Sequence, residues 1–178
     1  MPTTTLIHGI RRLYTLNPKR EGLGVIEYAS ILMEGDCVVW LGPSDEAPEA
    51  EKIIDACGLI GVPGLVDPHT HSVWAGSRSN EFARRLAGEN YADILEAGGG
   101  ILSTVEATRN ASLHALRNGV YDRLEHMRRR GVTLVEIKSG YGLSPQAEHR
   151  MLDAANPMYM NPRVIRTFLG AHTIPAEY

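Results

Sequence analysis

Two histidines at spacing two, His69 and His71, are the residues of this sequence whose types and spacing most clearly suggest chemistry. They follow the apolar pair Leu65-Val66, which predicts a short buried strand that ends at Pro68, because proline cannot donate to a sheet. In extended backbone, residues two apart point the same way, so both imidazoles can face one point just past the strand. Two convergent imidazoles suit zinc or iron. The alternative is a pair of loop histidines that bind nothing.

Two further predicted strands also lead into polar side chains. Residues 132–137 are rich in β-branched types and are followed by residues 138–141, which end in Tyr141. Residues 164–169 are apolar and are followed, after a glycine and an alanine, by His172. Three apolar strands that each end in polar residues predict one shared site at the carboxyl ends of parallel strands.

The segments between these strands have helical periodicity. Residues 80–96 predict a helix that Gly88 interrupts, since an interior glycine costs about 1 kcal/mol relative to alanine. Ser112 is a good N-cap for the next helix, and Ser144 with Pro145 begins another. Alternating strands and helices predict a parallel sheet. The positions expected to be buried on the first helix are Phe82, Leu86, Ile94 and Leu95.

The first sixty residues have a different pattern. They predict short strands and turns, with a hairpin at Glu34-Gly35-Asp36 between two apolar runs. We expect no chemistry from this segment. The sequence is therefore divided into a strand-rich part, residues 1–60, and an α/β part, residues 61–178.

Composition excludes several classes of protein. The 178 residues are 43% hydrophobic and 22% charged, as in ordinary globular proteins. A net charge of −3 gives no reason to expect nucleic acid or a membrane surface as partner. No apolar stretch approaches the roughly 18 residues of a membrane span, and residues 1–10 lack a signal-peptide pattern. Cys37 and Cys57 have no ligand spacing, which fits a reducing compartment, so we expect the cytoplasm.

Several strings resemble a known family. The string Pro-Gly-Leu-Val-Asp-Pro-His-Thr-His at 63–71 resembles the first barrel strand of the amidohydrolase superfamily. Further strings narrow the resemblance to the imidazolonepropionase family, whose N-terminal part this chain is similar to. They are Gly-Ser-Arg at 76–78, Asn-Glu-Phe at 80–82, Ala-Gly-Gly-Gly-Ile-Leu-Ser-Thr-Val at 97–105, Val-Glu-Ile-Lys-Ser-Gly-Tyr-Gly at 135–142 and Phe-Leu-Gly-Ala-His at 168–172.

The resemblance implies a fold and a reaction. The implied fold is a partial (β/α)8 barrel of about three strand–helix units at 61–178, preceded by part of a small β-sandwich at 1–60. His69 and His71 are implied to hold one Zn²⁺ or Fe³⁺ ion, with the remaining ligands beyond Tyr178. The implied reaction is metal-assisted hydrolysis of the ring C–N bond of 4-imidazolone-5-propanoate to N-formimidoyl-L-glutamate, in L-histidine degradation. The full-length enzyme is implied to be a homodimer with this small-molecule substrate.

Three residues match family positions that bind substrate: Arg78, Tyr141 and His172. An arginine fork suits a carboxylate or a polarised carbonyl, Tyr141 offers a hydroxyl, and His172 is expected to act catalytically by donating to the ring carbonyl. The alternatives are a surface salt bridge for Arg78, a packed loop aromatic for Tyr141 and a capped strand-end histidine for His172. At Trp74-Ala75 the chain departs from the family, which has a smaller aromatic and a glycine there.

Other polar residues have simpler expected roles. Glu136 and Lys138 share one side of the second strand and predict an internal ion pair. Asp67 is expected to orient one of the two histidine ligands. His114 and His126 are expected to be structural or exposed.

Two other functions stay open. One is another cyclic-amide hydrolase or a deaminase of the same superfamily, and the other is a non-catalytic truncated fragment. We expect the chain to be inactive alone and poorly soluble or oligomeric, because three strands leave Val164, Ile165 and Phe168 near an open edge.

Overall fold

The computed structural model describes residues 3–156 and 161–174, and the chain divides into two compact units, Met1–Pro63 and Gly64–Tyr178. The first unit is built of strands, and the second combines strands with helices. Within the described ranges, none of the helices has the length and apolar character needed to cross a membrane.

The first unit is a five-stranded sheet. Its strands are β1 (Thr4–Tyr14), β2 (Val25–Glu34), β3 (Cys37–Pro43), β4 (Lys52–Asp55) and β5 (Ile60–Gly61), with a 3-10 turn at Ser44–Glu46. The order is β3-β2-β1-β4, with β5 also on β1, so β1 is central. The hairpin predicted at residues 34–36 is confirmed, and Gly35 has the positive φ, +57°, that such a turn requires.

The second unit alternates strands and helices, as predicted. Its elements are β6 (Leu65–Thr70), α1 (Ser79–Leu86), α2 (Tyr91–Glu96), α3 (Ile101–Asn110), α4 (Leu113–Arg128), β7 (Val132–Lys138), α5 (Pro145–Ala154) and β8 (Arg163–Thr167). The three strands form one parallel sheet in the order β6-β7-β8. Their carboxyl ends therefore meet at one edge, which positions the candidate site.

The helix starts predicted from serine are confirmed. The Ser112 hydroxyl accepts the Ala115 N–H at 3.1 Å, and the Ser144 hydroxyl accepts the Ala147 N–H at 3.3 Å. Both bonds satisfy a backbone donor that the first helical turn leaves unpaired. The caps fix where α4 and α5 begin, and hence the lengths of the loops that enter them.

The core of the second unit lies between β7 and the helices α4 and α5. Val135 and Ile137 of β7 are fully buried against apolar side chains of both helices. Leu134, Glu136 and Lys138 alternate with them and are only half-buried, so they lie on the opposite face of the sheet. This face is the one that carries the polar pair Glu136 and Lys138.

The first strand of this unit differs from the prediction. Leu65 and Val66 are 53% and 57% exposed, so the expectation of a buried strand is wrong. Among the described residues, none of the β6 side chains belongs to the buried cluster. The strand also continues through Pro68 to Thr70, since the ladder to β7 skips from Asp67 to Thr70 and needs no donor from proline.

The predicted helix at 80–96 is two helices, α1 and α2, separated at Gly88 as the sequence indicated. Gly88 has φ +94°, a left-handed conformation that ends a helix. Ile94 is buried, but Phe82 and Leu86 are 64% and 74% exposed and Leu95 is also exposed, so these three predictions are wrong. Helix α3, which begins directly after the glycine run at 98–100, was not predicted, because a run of glycines indicates the end of a helix and not the start of one.

Candidate functional site

The carboxyl ends of the three parallel strands bring four of the predicted site residues together. The ring centroids of His69 and His71 are 5.5 Å apart, and Tyr141 lies 5.4 Å from His71 and 5.6 Å from His172. These residues come from the ends of β6 and β7 and from the segment after β8, so residues far apart in sequence meet through the sheet. The geometry is that of a shared site at one edge.

His71 and His172 stack on each other. Their centroids are 4.5 Å apart and the ring planes differ by only 9°. Burial lowers the pKa of His71, and the neighbouring His172 and His69 lower it further, while a backbone hydrogen bond with Ser139 opposes the shift. His71 is therefore biased towards the neutral imidazole, which is the form that ligates a metal.

One ring nitrogen of His71 has no protein partner. Its Nδ1 is buried and makes no hydrogen bond to any described residue. A buried polar atom without a partner is costly and calls for an explanation, of which an absent ligand is one. With its ring centroid 5.5 Å from that of His69, His71 forms a pair of imidazole donors that fits part of a zinc or iron site.

The ring of His172 is oriented by the main chain. Its Nδ1 lies 3.0 Å from the carbonyl oxygen of Gly140, and because a carbonyl only accepts, Nδ1 carries the proton. Nε2 of the neutral ring is then an acceptor. A Cβ on Gly140 would lie 2.6 Å from the same Nδ1, and Gly140 has φ +131°, so this close approach requires glycine.

The loop that carries Tyr141, residues 140–143, is held by a carboxylate that sequence reasoning missed. Glu148 of α5 is fully buried and accepts three backbone N–H groups, from Gly140 at 2.5 Å, Gly142 at 2.8 Å and Leu143 at 2.6 Å. Bonds to a charged acceptor are shorter and about twice as strong as neutral ones. Leaving one such donor unpaired costs about 1–3 kcal/mol.

A guanidinium holds the opposite side of the same loop. Arg109 of α3 donates from Nε to the Gly142 carbonyl at 2.6 Å and from Nη2 to the Leu143 carbonyl at 3.2 Å. The N–H groups of the loop therefore donate to the Glu148 carboxylate, and two of its carbonyls accept from the Arg109 guanidinium. Both contacts are made to the backbone of an irregular loop, for which strand and helix patterns predict no hydrogen bonds.

A signal for Glu148 was present in the sequence. In α5 it falls on the same face as Met151, Ala154 and Ala155, all of which are buried. A carboxylate on the apolar face of an amphipathic helix needs bonded partners, and the glycine-rich loop before the helix supplies N–H groups.

Arg78 lies in a cavity beside the histidines. The cavity has a volume of about 210 Å³ and is lined by residues 74–78, Thr104 and Tyr141. Tyr141 therefore belongs both to this cavity and to the cluster of histidine rings, and it connects Arg78 to them. A small polar molecule in the cavity would have both a guanidinium and a tyrosine in the walls around it.

Glu81 holds the Arg78 side chain. Arg78 Nε donates to Glu81 Oε2 at 2.7 Å, and the other Glu81 oxygen accepts from the Gly100 N–H at 3.0 Å and the Ser103 hydroxyl at 3.2 Å. Burial acts to raise the pKa of Glu81, but these hydrogen bonds outweigh it and lower that pKa. The Glu81 carboxylate in turn raises the pKa of Arg78. The glycine run and α3 thus serve to fix a carboxylate that orients the arginine.

Trp74 is covered by a second arginine. Arg123 of α4 lies 3.5 Å from the centroid of the Trp74 ring and donates to the Ser72 carbonyl at 3.0 Å. Burial lowers the pKa of this guanidinium. The stacking holds the wall of the cavity at the position where the sequence departs from the family that it resembles.

The remaining polar predictions have mixed outcomes. Lys138 pairs with Glu136, as predicted, and the Thr167 hydroxyl donates to the same carboxylate at 2.6 Å. Asp67 accepts from the backbone N–H of His69 at 3.4 Å and not from its ring. His114 and His126 are exposed on α4, as expected.

A larger cavity lies at the end of β8. It has a volume of about 730 Å³ and apolar walls from Leu143, Phe168, Leu169 and Ile174. No histidine or arginine belongs to its described lining. In the described part of the chain, no group of three or more His, Cys, Asp or Glu side chains is placed to hold a metal ion.

The chain is similar to known enzymes in sequence and fold. It is 49% identical over 170 residues to an imidazolonepropionase of Acidiphilium cryptum, covering 93% of this chain and 42% of that protein. It is 44% identical over 187 residues to that of Thermoanaerobacter pseudethanolicus, covering all of this chain and 45% of that protein. The chain thus spans less than half the length of these relatives. No family model matches it.

Two solved structures share its fold. One is a prolidase complexed with N-methylphosphonate-L-proline, with a TM-score of 0.59 and 15% identity, covering 93% of this chain and 32% of that one. The other is a mutant atrazine chlorohydrolase from Arthrobacter aurescens complexed with zinc and atraton, with a TM-score of 0.52 and 20% identity, covering 92% and 35%. At these identities the likeness concerns the fold alone. By its sequence, the chain belongs to the imidazolonepropionase family.

Proposed function

We propose that this chain forms the N-terminal part of a metal-dependent imidazolonepropionase. The reaction is hydrolysis of the ring C–N bond of 4-imidazolone-5-propanoate to N-formimidoyl-L-glutamate, a step of L-histidine degradation. The observation that carries the proposal is the convergence of His69, His71, Tyr141 and His172 at the ends of three parallel strands. The sequence similarity to imidazolonepropionases supports the same reaction.

We infer that β6, β7 and β8 are the first three strands of a (β/α)8 barrel. Their parallel order and the helices between them support this arrangement, and so does the likeness to about a third of the length of two amidohydrolase-fold chains. The proposed division assigns residues 61–178 to the barrel and residues 1–60 to part of a β-sandwich. The half-buried face of β7 with Glu136 and Lys138 would then line the barrel interior.

His69 and His71 are the proposed ligands of one Zn²⁺ or Fe³⁺ ion. The unpartnered Nδ1 of His71 and the lowered pKa of this ring support the assignment, as does the zinc bound by the chlorohydrolase of the same fold. When bound, the ion polarises a carbonyl and lowers the pKa of water to about 7. Catalytic zinc usually has three protein ligands, so two imidazoles are an incomplete set.

The residues of this chain would bind and orient the substrate. Arg78 suits the propanoate carboxylate or the ring carbonyl because its planar fork makes paired bonds with such oxygens. Tyr141 lines the cavity with Arg78 and contacts the rings of His71 and His172, so its hydroxyl would be available to a substrate held there. His172, with its proton fixed on Nδ1, accepts a proton at Nε2 when neutral and donates one from Nε2 only as the imidazolium. The expected donation to the ring carbonyl therefore requires the charged form.

A substrate comparison tests the proposed function. The complete reading frame that contains this chain is expressed with Zn²⁺ or Fe³⁺ and assayed with 4-imidazolone-5-propanoate, a hydantoin and guanine. We expect ring opening of the imidazolone to have by far the largest kcat/KM, and Arg78→Gln to raise its KM. A preference for the hydantoin or for guanine would instead show another cyclic-amide hydrolase or a deaminase.

A further inference from the structure

Glu148 has a role that extends beyond the stability of its own helix. We propose that it is a positioning residue whose buried carboxylate fixes the 140–143 loop and thereby places the Tyr141 hydroxyl and the His172 ring. The inference rests on the proposed function for what Tyr141 and His172 touch. It assigns to Glu148 no contact with substrate or metal.

The contacts of the loop explain why one carboxylate can set two side chains. Glu148 bonds the N–H groups of Gly140 and Gly142, so it holds the peptide that precedes Gly140 and the peptide that follows Tyr141. The 140–141 peptide lies between these two held peptides, and together they set the direction of the Tyr141 side chain. The carbonyl of Gly140, in this middle peptide, accepts from His172 Nδ1 at 3.0 Å and so orients the histidine ring.

The loop has a shape that the backbone does not adopt unaided. Gly140 has φ +131°, which suits glycine, but Leu143, which is not a glycine, has φ +54°, a conformation that is sparsely populated and persists only when the surroundings impose it. Tight packing leaves little alternative space, since a Cβ on Gly142 would lie 2.6 Å from the backbone nitrogen of Glu148. The imposed conformation comes from Glu148 on the N–H side and from Arg109 on the carbonyl side.

The substitution Glu148→Gln affects the hydrogen bonds of the two carboxylate oxygens differently. Oε1 accepts two N–H groups, from Gly142 and Leu143, and Oε2 accepts one, from Gly140. A glutamine amide has one oxygen, which keeps the most bonds when it replaces Oε1. Its NH₂ group then faces the Gly140 N–H, donor against donor. The variant should therefore release Gly140 while retaining the other two bonds.

Hydrogen–deuterium exchange of the protein from the complete reading frame, resolved to single amides by mass spectrometry, tests this directly. We expect the Gly140 amide of the Glu148→Gln variant to exchange about tenfold faster or more, as the loss of about one hydrogen bond implies, with smaller changes at Gly142 and Leu143. Glu106→Gln, the same change at an exposed position of α3, is the matched control and should change none of the three. Equal acceleration of all three amides, or no acceleration, would overturn the proposal.

A double-mutant cycle distinguishes positioning from a purely structural role. In the protein from the complete reading frame, we expect Glu148→Gln to weaken binding of 3-(imidazol-4-yl)propanoate about tenfold. It should add little to the loss already caused by Tyr141→Phe, because the effect passes through Tyr141. Additive losses would show that Glu148 acts elsewhere. If the unmodified protein does not bind this probe, the proposed function is wrong. The hydrogen–deuterium exchange of the Gly140, Gly142 and Leu143 amides still tests whether Glu148 holds the loop.

A second variant covers the case in which Glu148→Gln does not fold. Arg109→Lys keeps the charge on α3 but cannot make both bonds to the Gly142 and Leu143 carbonyls. It should weaken binding of the same probe, again with little addition to Tyr141→Phe. A stable Arg109→Lys protein with unchanged probe affinity would contradict the proposed positioning of the loop.

Discussion

Among the described histidines, His71 alone has a buried ring nitrogen with no hydrogen-bond partner. The rings of His8, His149 and His172 bond to protein oxygens, and those of His114 and His126 lie exposed on a helix. The histidines thus differ in burial and in hydrogen bonding, which residue type alone does not reveal. His71 is the histidine whose buried nitrogen a bound ligand would satisfy.

Replacing a proposed ligand should remove the metal. In the protein from the complete reading frame, we expect His69→Ala and His71→Ala each to lose bound zinc or iron, because one imidazole cannot substitute for a convergent pair. Elemental analysis of the purified proteins measures the stoichiometry. His126→Ala, on the exposed face of α4, should keep it, and unchanged metal content in both test variants would refute the assignment.

Gly140 is the residue at which close packing is most demanding in the site. An alanine there would place its Cβ 2.6 Å from His172 Nδ1 at φ +131°. We expect Gly140→Ala to lower the free energy of unfolding by about 1–3 kcal/mol through backbone strain, with the clash adding to this. Gly98→Ala is the matched control, since its φ is +80° but nothing lies within 4 Å of the added Cβ.

Urea denaturation of the two glycine variants separates strain from contact. Both should be destabilised by the positive φ, and the excess loss in Gly140→Ala reports the contact with His172. Equal losses in the two proteins would show that the ring moves aside at no cost.

The elements of the second unit were predicted with uneven success, and the reasons are specific. Local signals such as the caps at Ser112 and Ser144 and the break at Gly88 are confirmed, because they depend on neighbours in sequence. Burial was wrong for Leu65, Val66, Phe82 and Leu86, because hydrophobicity does not tell whether another element covers a face. The bonds of Arg109 join α3 to a loop 33 and 34 residues away, and such long-range bonds leave little trace in local patterns. The bonds of Glu148 span only five to eight residues, and its place on the buried face of α5 was a local signal.

Helix α4 ends in an ion-pair network that should respond to acid. Glu125 bonds Arg128 at 2.7 Å and Arg129 at 2.9 Å, and these guanidinium groups lower the pKa of Glu125 to about 2. A depressed pKa stabilises the fold above the unfolded value of 4.5, and the contribution is lost as pH falls from there towards 2.

Comparison with Glu125→Gln measures this contribution. Thermal unfolding should find wild type more stable than the variant at pH 7, with a difference that shrinks as pH is lowered through 4 towards 3. High salt should also reduce the difference, because these groups are exposed. A difference that does not change with pH would mean that the carboxylate is not paired in solution.

For the molecule as a whole, the open side of the three-stranded sheet is the dominant feature. Ile165 and Phe168 are about half exposed, as expected of an open edge, whereas Val164 is buried against the helices and the expectation for it is wrong. Val66 adds to the exposed apolar surface at the opposite edge strand. Exposed apolar strands favour association between chains.

We therefore expect the 178-residue chain to be oligomeric or poorly soluble and to lack turnover. Two imidazoles should hold metal weakly, because affinity rises with the number of preorganised ligands. Light scattering measures the mass, and an assay of 4-imidazolone-5-propanoate with added zinc or iron measures activity. A monomer that turns over the substrate at a rate comparable to the protein from the complete reading frame would contradict this expectation.

The placement of the two tryptophans makes the two units optically distinguishable. Trp40 lies on β3 of the first unit, and Trp74 lies in the second unit beneath Arg123. Removal of that guanidinium on unfolding should change the emission of Trp74, while Trp40 reports only on its own sheet. Fluorescence of Trp74→Phe and Trp40→Phe proteins would then follow each unit separately. Coincident transitions would show that the units unfold cooperatively, and separate transitions that each is stable independently.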